Sequence, residues 1–264
     1  MSTGTGGRDP LDFSGQVAIV TGGSRGVGRG ITETLLGAGA DVVICGRNEP
    51  EERDLPSAEG RTAVFVRADV READQAASTV REAAERFGRL DLLVNNAGGS
   101  PSIPAADASP RFVSSVVALN LLAPFYCAQA ANAVMRDQER GGSVINIASV
   151  SGLRPSPGSA AYGAAKAGLI NLTRTLALEW APTVRVNCVV AGMVATEAAD
   201  DHYGGPDGVA AVAATVPLGR LATPRDVADL CLFLASPLAS YISGAAVELH
   251  GGGESPPYLA ALGR

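Results

Sequence analysis

From Gln16 onward the chain alternates short β-branched runs with longer amphipathic ones, and nothing else in the sequence restricts the fold as strongly. The apolar runs are QVAIVT (16–21), DVVIC (41–45), TAVFVRA (62–68), LDLLVN (90–95), SVINIAS (143–149), VRVNCVV (184–190) and AAVEL (245–249). Helical segments fall between them at about 26–38, 72–87, 111–137, 160–180 and 224–235. Strand–helix–strand units of this kind build a parallel sheet with helices on both faces, joined by right-handed crossovers. The expected fold class is therefore α/β: a single doubly wound parallel sheet of about seven strands. A composition 46% hydrophobic and only 18% charged fits strands buried on both faces. At 264 residues one core suffices. The expected domain covers 13–252, with polar tails at 1–12 and 253–264.

A net charge of -6 with no block of Lys or Arg leaves no electrostatic footprint for nucleic acid or an acidic membrane surface. The amino-terminal stretch lacks an apolar core, and no apolar run reads as long enough to span a bilayer, so the expected location is cytoplasmic. Cys45, Cys127, Cys188 and Cys231 are far apart, form no CxxC pair, and have only His202 and His250 to help them. They read as buried reduced thiols, and no metal site is expected. Two segments break the alternation. Residues 48–61 read as a solvated charged loop. Residues 196–217 are too long for a simple connection and read as a lid over a site at the carboxyl ends of the strands, with Glu197, Asp200, Asp201 and Asp207 solvated.

The first strand runs directly into TGGSRGVGRG, and the spacing TGxxxGxG places Thr21 to Gly28 at a strand-to-helix turn. Glycines there permit a tight bend and a close backbone approach, and the following helix offers free N–H groups to a pyrophosphate. Gly22, Ser24, Arg25, Gly26, Val27 and Gly28 are the candidate contacts; the competing reading is a turn that uses glycine for geometry alone. After the second strand, ICGRN has no carboxylate for a ribose 2′-hydroxyl. Arg47 and Arg25 could instead clamp a 2′-phosphate, which makes NADP(H) the expected cofactor over NAD(H). The alternative is two ordinary surface arginines.

In AAYGAAKAGL (160–169) the polar exceptions are Tyr162 and Lys166, four residues apart and so on one face of a helix. Such pairs also occur where both side chains merely reach solvent. Gly163 and Gly168, each costing a helix about 1 kcal/mol relative to alanine, imply a close packing partner or ligand.

TGGSRGVG (21–28), DV (69–70), NNAG (95–98), Asn120 in ALNLLAPF, Ser149 in INIASVSG and YGAAK (162–166) resemble, in order and spacing, the short-chain dehydrogenase/reductases, over roughly residues 13–252. The resemblance implies a Rossmann-like sheet and a catalytic group of Asn120, Ser149, Tyr162 and Lys166. It implies adenine contacts from Asp69 and Val70, and a segment beside the cofactor from Asn96, Ala97 and Gly98. In AGMVAT (191–196), Gly192, Val194 and Thr196 match the family's contacts to nicotinamide and phosphate. Ala191 replaces the usual proline there, which removes stiffness but no reacting atom.

The implied chemistry is hydride transfer between nicotinamide and a ketone or secondary alcohol. Tyr162 would carry the proton, and Lys166 would lower the phenol's pKa and hold the nicotinamide ribose. Ser149 would steady the substrate oxygen, and Asn120 would hold a water leading toward Lys166. The substrate stays open among a steroid, an acyl-thioester and a smaller carbonyl. The family's habit suggests a homotetramer or dimer, with the carboxyl-terminal tail folding over a neighbour. The alternatives are a non-catalytic dinucleotide-binding regulator, which has no need of the serine, tyrosine and lysine together, an NAD-dependent alcohol dehydrogenase of the same family, and a nucleotide-sugar epimerase or dehydratase, which usually has a longer chain.

Overall fold

The computed structural model describes residues 9–197, 199 and 203–254. Residues 1–8 and 255–264, within the expected tails at 1–12 and 253–264, and Asp200, Asp201 and His202, lie outside the described residues. Seven strands form one parallel sheet: β1 (Val17–Thr21), β2 (Asp41–Gly46), β5 (Val64–Arg67), β6 (Leu92–Asn95), β7 (Gly142–Ser149), β8 (Val184–Ala191) and β9 (Ala246–Leu249). Their order across the sheet is β5-β2-β1-β6-β7-β8-β9. The chain builds outward from β1 in one direction and then restarts beside it at β6. That reversal opens a crevice at the carboxyl ends of β1 and β6, where open α/β sheets bind ligands.

Alternation within single strands sets the two faces. Val17 and Ile19 of β1 join a core with α2 (Ala73–Phe87) and α4 (Ala123–Met135). Ala18 and Val20 join the opposite core, with α1 (Gly26–Gly37) and α7 (Pro224–Ala235). All four residues are buried, which explains why the strands read as continuous apolar runs. The four cysteines are buried and unbonded, and among the described residues no cluster of His, Cys, Asp and Glu could hold a metal ion.

Two expectations, for residues 48–61 and for the long apolar helix, need correction, and the segment at 196–217 gains detail. Residues 48–61 are not simply a solvated loop: a 3₁₀ turn at Glu52–Asp54 leads into a small antiparallel hairpin of β3 (Ser57–Ala58) and β4 (Arg61–Thr62). Glu59 and Gly60 at its tip both have positive φ, as a two-residue hairpin of type I′ requires, and Pro56 beneath is buried. The charge of the segment masked that turn. The expected lid contains α6 (Pro206–Ala213), started by a proline at its first position. The long helix is α3 (Pro110–Val117), a π-helical turn over Ala118–Leu122, and α4. By length and composition Pro110–Met135 is apolar enough to cross a membrane, contrary to the sequence reading. Ala, Val and Leu accumulate there because Ala123, Cys127, Ala131 and Met135 pack under the sheet.

Candidate active site

The crevice is braced from its floor. The Thr21 hydroxyl, buried at the end of β1, accepts the backbone N–H groups of Asn96 (3.0 Å) and Ala97 (2.9 Å). The Asn96 carboxamide donates back to the carbonyl oxygens of Thr21 (2.9 Å) and Gly22 (3.3 Å). Thus the two loops that follow β1 and β6 are stitched together before any ligand arrives. Beneath them, Asn95 donates to Asn146 of β7 and to the Pro124 carbonyl oxygen, and Asn146 donates to Thr173.

The glycine turn works by close approach. A Cβ on Gly28 would lie 2.2 Å from the Gly22 carbonyl oxygen, and one on Gly23 would lie 2.4 Å from Ile44. Gly22 and Gly26 have positive φ. Thr32, one turn into α1, donates to the Gly28 and Gly23 carbonyl oxygens and fixes the bend. Ser24 and Val27 are partly buried, whereas Arg25, at the N-cap of α1, and Arg47, just past β2, are exposed. The register Thr21↔Cys45 sets the loops bearing these arginines side by side.

Asp69, just past the end of β5, is held by a neighbouring cation. Its carboxylate receives Arg71 Nε, Nη2 and backbone N–H, and the Arg71 guanidinium holds it below the ordinary carboxylate range. Val70 beside it is buried. Arg71 was not anticipated; its only sequence signal was an i,i+2 charge pair.

Three glycines lock the reacting side chains. Ser149 ends β7 and its hydroxyl caps the following 3₁₀ turn by accepting from Ser151 N. On α5 (Ala160–Glu179), a Cβ on Gly163 would lie 2.8 Å from the Ser151 carbonyl oxygen, and a Cβ on Gly152 would lie 2.8 Å from the backbone of Lys166 and Ala167. The helix therefore sits directly on the turn after β7 and brings the Tyr162 phenol close enough to Ser149 for the serine to pull its pKa down. Gly168 packs α5 against Leu121 of the π turn, with Leu121 only 3.2 Å from where its Cβ would be. Close packing accounts for Gly163 and Gly168 without a ligand.

Lys166 is 3% exposed; its Nζ donates to the Ile147 carbonyl oxygen at 2.8 Å and lies 5.6 Å from the centroid of the Tyr162 ring. Burial lowers its pKa from 10.5 to about 8. Burial also pushes the Tyr162 phenol above 10, only partly offset by Ser149. Burial thus drives both groups toward their neutral forms.

Asn120 sits on the other side of Lys166's pocket, next to Gly98. It is fully buried in the π turn; its Oδ1 accepts Gly99 N–H, and its Nδ2 donates to the Gly99 and Val116 carbonyl oxygens, all at 2.9 Å. The carboxamide anchors the loop after β6. A π turn explains how so poor a helix former sits mid-helix. Gly98 lies in the gap: a Cβ there would be 2.8 Å from Asn120 Oδ1 and 3.1 Å from Lys166 Nζ. Asn120, Gly98, Lys166, Tyr162 and Ser149 therefore form one continuous patch beside the crevice.

The segment after β8 closes the far side. Gly192 N donates to the Leu249 carbonyl oxygen, a Cβ on Gly192 would strike His250, and Val194 bridges to Ala222. Ala191, in place of proline, remains in β8, paired with Ser149 and Leu249. Thr196 lies over Gly26, and Glu197, expected to be solvated, accepts the Gly26 backbone N–H at 3.1 Å. A surface groove of about 820 Å³ between α1, the hairpin and α7 contains none of these groups.

Comparison with known proteins agrees with this arrangement. A family model described as enoyl-(acyl carrier protein) reductase matches residues 22–254. The chain is 36% identical to the Bacillus subtilis (strain 168) protein named "Probable 2,4-dienoyl-CoA reductase [(2E)-enoyl-CoA-producing]", across 92% of this chain and 98% of that one. It is also 36% identical to the L-rhamnose 1-dehydrogenase (NAD(P)(+)) of Azotobacter vinelandii (strain DJ / ATCC BAA-1303), across 90% and 96%. Among solved structures, the short-chain dehydrogenase/reductase SDR:glucose/ribitol dehydrogenase of Brucella melitensis superposes with a TM-score of 0.81 at 29% identity, across 91% of this chain and 97% of that one.

Proposed function

The chain belongs to the short-chain dehydrogenase/reductase family and is an oxidoreductase of CH–OH and C=O groups; from that premise we propose that it is an NADP(H)-dependent carbonyl reductase with Tyr162 as its acid and base. The observation that carries this reading is the juxtaposition of Ser149, Tyr162 and Lys166 on a glycine-locked helix beside the β1/β6 crevice. A non-catalytic dinucleotide regulator gains nothing from that construction.

The crevice suits a dinucleotide on the protein's own geometry. The close backbone approach allowed by Gly22, Gly26 and Gly28 and the N-terminus of α1 suit a pyrophosphate, and Arg25 and Arg47 suit a 2′-phosphate. Val70 would border the adenine, with Asp69 held by Arg71; Asn96, Ala97, Gly98, Gly192, Val194 and Thr196 would border the rest. When bound, the nicotinamide supplies or accepts a hydride.

The protein's task is the proton. The phenol, neutral at neutral pH, holds the proton that carbonyl reduction must deliver to the substrate oxygen. Ser149 orients the phenol and offers a hydroxyl to the developing oxyanion. Lys166, about half protonated near pH 8, is within reach of the ring of Tyr162 and of the crevice through Gly98, where it can return a proton to the phenol after turnover. Asn120 holds the Gly99 loop so that this passage stays fixed. The relatives' names span acyl-thioesters and sugars, and the site alone selects neither.

The test is NADPH oxidation across a panel of ketones, β-ketoacyl thioesters and sugars. Tyr162→Phe should keep NADPH binding and lose about 10²–10⁴-fold in kcat. Near-normal turnover by that variant would overturn the reading.

A further inference from the structure

The first turn of α1 has no cap of its own. Arg25 at the N-cap makes no side-chain hydrogen bond, and the turn contains no acidic residue. The N–H of Gly26, its first helical residue, is instead taken by Glu197 Oε2 at 3.1 Å, from 171 positions further along the chain. Thr196 lies against the same spot, its Cγ2 3.5 Å from where a Gly26 Cβ would be. A carboxylate at a helix N-terminus is held by the same free donor and dipole that hold a phosphate.

We propose that Glu197 is a built-in competitor for the anion site at the start of α1 and sets the affinity of the protein for its dinucleotide. The inference rests on the reading that this helix terminus receives the cofactor's pyrophosphate. A carboxylate oxygen and a phosphate oxygen cannot both accept from one N–H, and the two anions repel at hydrogen-bonding distance. Binding therefore requires Glu197 to surrender Gly26. The empty protein gains an N-cap from this contact, and the loaded protein loses it.

Glu197→Gln and Glu197→Ala in the full chain separate this role from a structural one. NADPH and inorganic pyrophosphate should each bind both variants about three- to tenfold more tightly than wild type, while the cofactor-free variants melt at or below the wild-type temperature. A residue that merely supports the fold would weaken binding and stability together. NADPH affinities in both variants equal to or weaker than wild type would overturn the competitor role while leaving the cofactor assignment intact. Absence of saturable NADPH binding in wild type and variants alike would overturn the cofactor assignment, and this inference with it.

Discussion

The two ends of the crevice, proposed above to carry the proton and the phosphates, are built by opposite means. At the proton end, Ser149, Tyr162, Lys166 and Asn120 are packed so closely that glycine is needed at 152, 163 and 168, and burial moves both titratable groups toward neutrality. At the phosphate end, Arg25 and Arg47 stand exposed on loops. A group that must change protonation state has its pKa set by its surroundings, so it is enclosed. A group that only recognises a permanent charge can stay in water and trade strength for access. Substitutions at the first end should therefore act on rate and pH dependence, and those at the second on affinity and salt dependence.

The largest effect expected within this contrast is that of Ser149→Ala, which removes both the partner of the phenol and a donor to the substrate oxygen. Its kcat should fall about 10²–10³-fold with NADPH affinity unchanged. A matching loss of affinity would blur the two ends into one. Lys166 comes next. Its folded pKa of about 8 lies below its ordinary 10.5, so between those values the unfolded chain holds one more proton and stability rises with pH. The buried thiols, all pushed up from 9.0, have the opposite sign: the unfolded chain releases their protons above about pH 9, and stability falls there. The lysine is isolated by subtraction. Wild-type stability minus that of Lys166→Met, followed by chemical denaturation, should increase by about 3 kcal/mol from pH 8 to 10.5. A flat difference would place the ammonium in contact with solvent.

The smallest effect belongs to the exposed end. Arg47→Ala should weaken NADPH about tenfold relative to NADH, with the preference shrinking as salt rises. Equal loss for both cofactors would remove Arg47 from phosphate recognition.

The sheet was legible in the sequence because its strands are covered on both faces, so burial left its mark as uninterrupted Val, Ile and Leu. The β3–β4 hairpin was not, because its turn puts a glutamate at positive φ where Asn or Asp is the usual sign. The TGxxxGxG turn and the Tyr162/Lys166 pair were legible through spacing alone. The tertiary partners were hidden. Gly163 and Gly168 showed that something approached closely but not that it was Ser151 and Leu121. Asn120 looked like a mid-helix anomaly until the π turn and the Gly99 backbone appeared, and Glu197 is separated from Gly26 by most of the chain. The direction of the Tyr162 shift depends on how far the packed protein shields the ring from water, and no local pattern carries that information.

The central claim is that the Tyr162 phenol is an enclosed proton donor whose acidity answers to the occupant of the crevice. An ultraviolet difference titration of wild type against Tyr162→Phe, with and without NADP⁺, tests it directly. In the empty protein the two curves should coincide up to pH 10, because the phenol stays protonated; with NADP⁺ bound, one additional phenolate should appear in wild type below pH 10. A phenolate from position 162 already present below pH 10 in the empty protein, or none elicited by NADP⁺, would contradict the account.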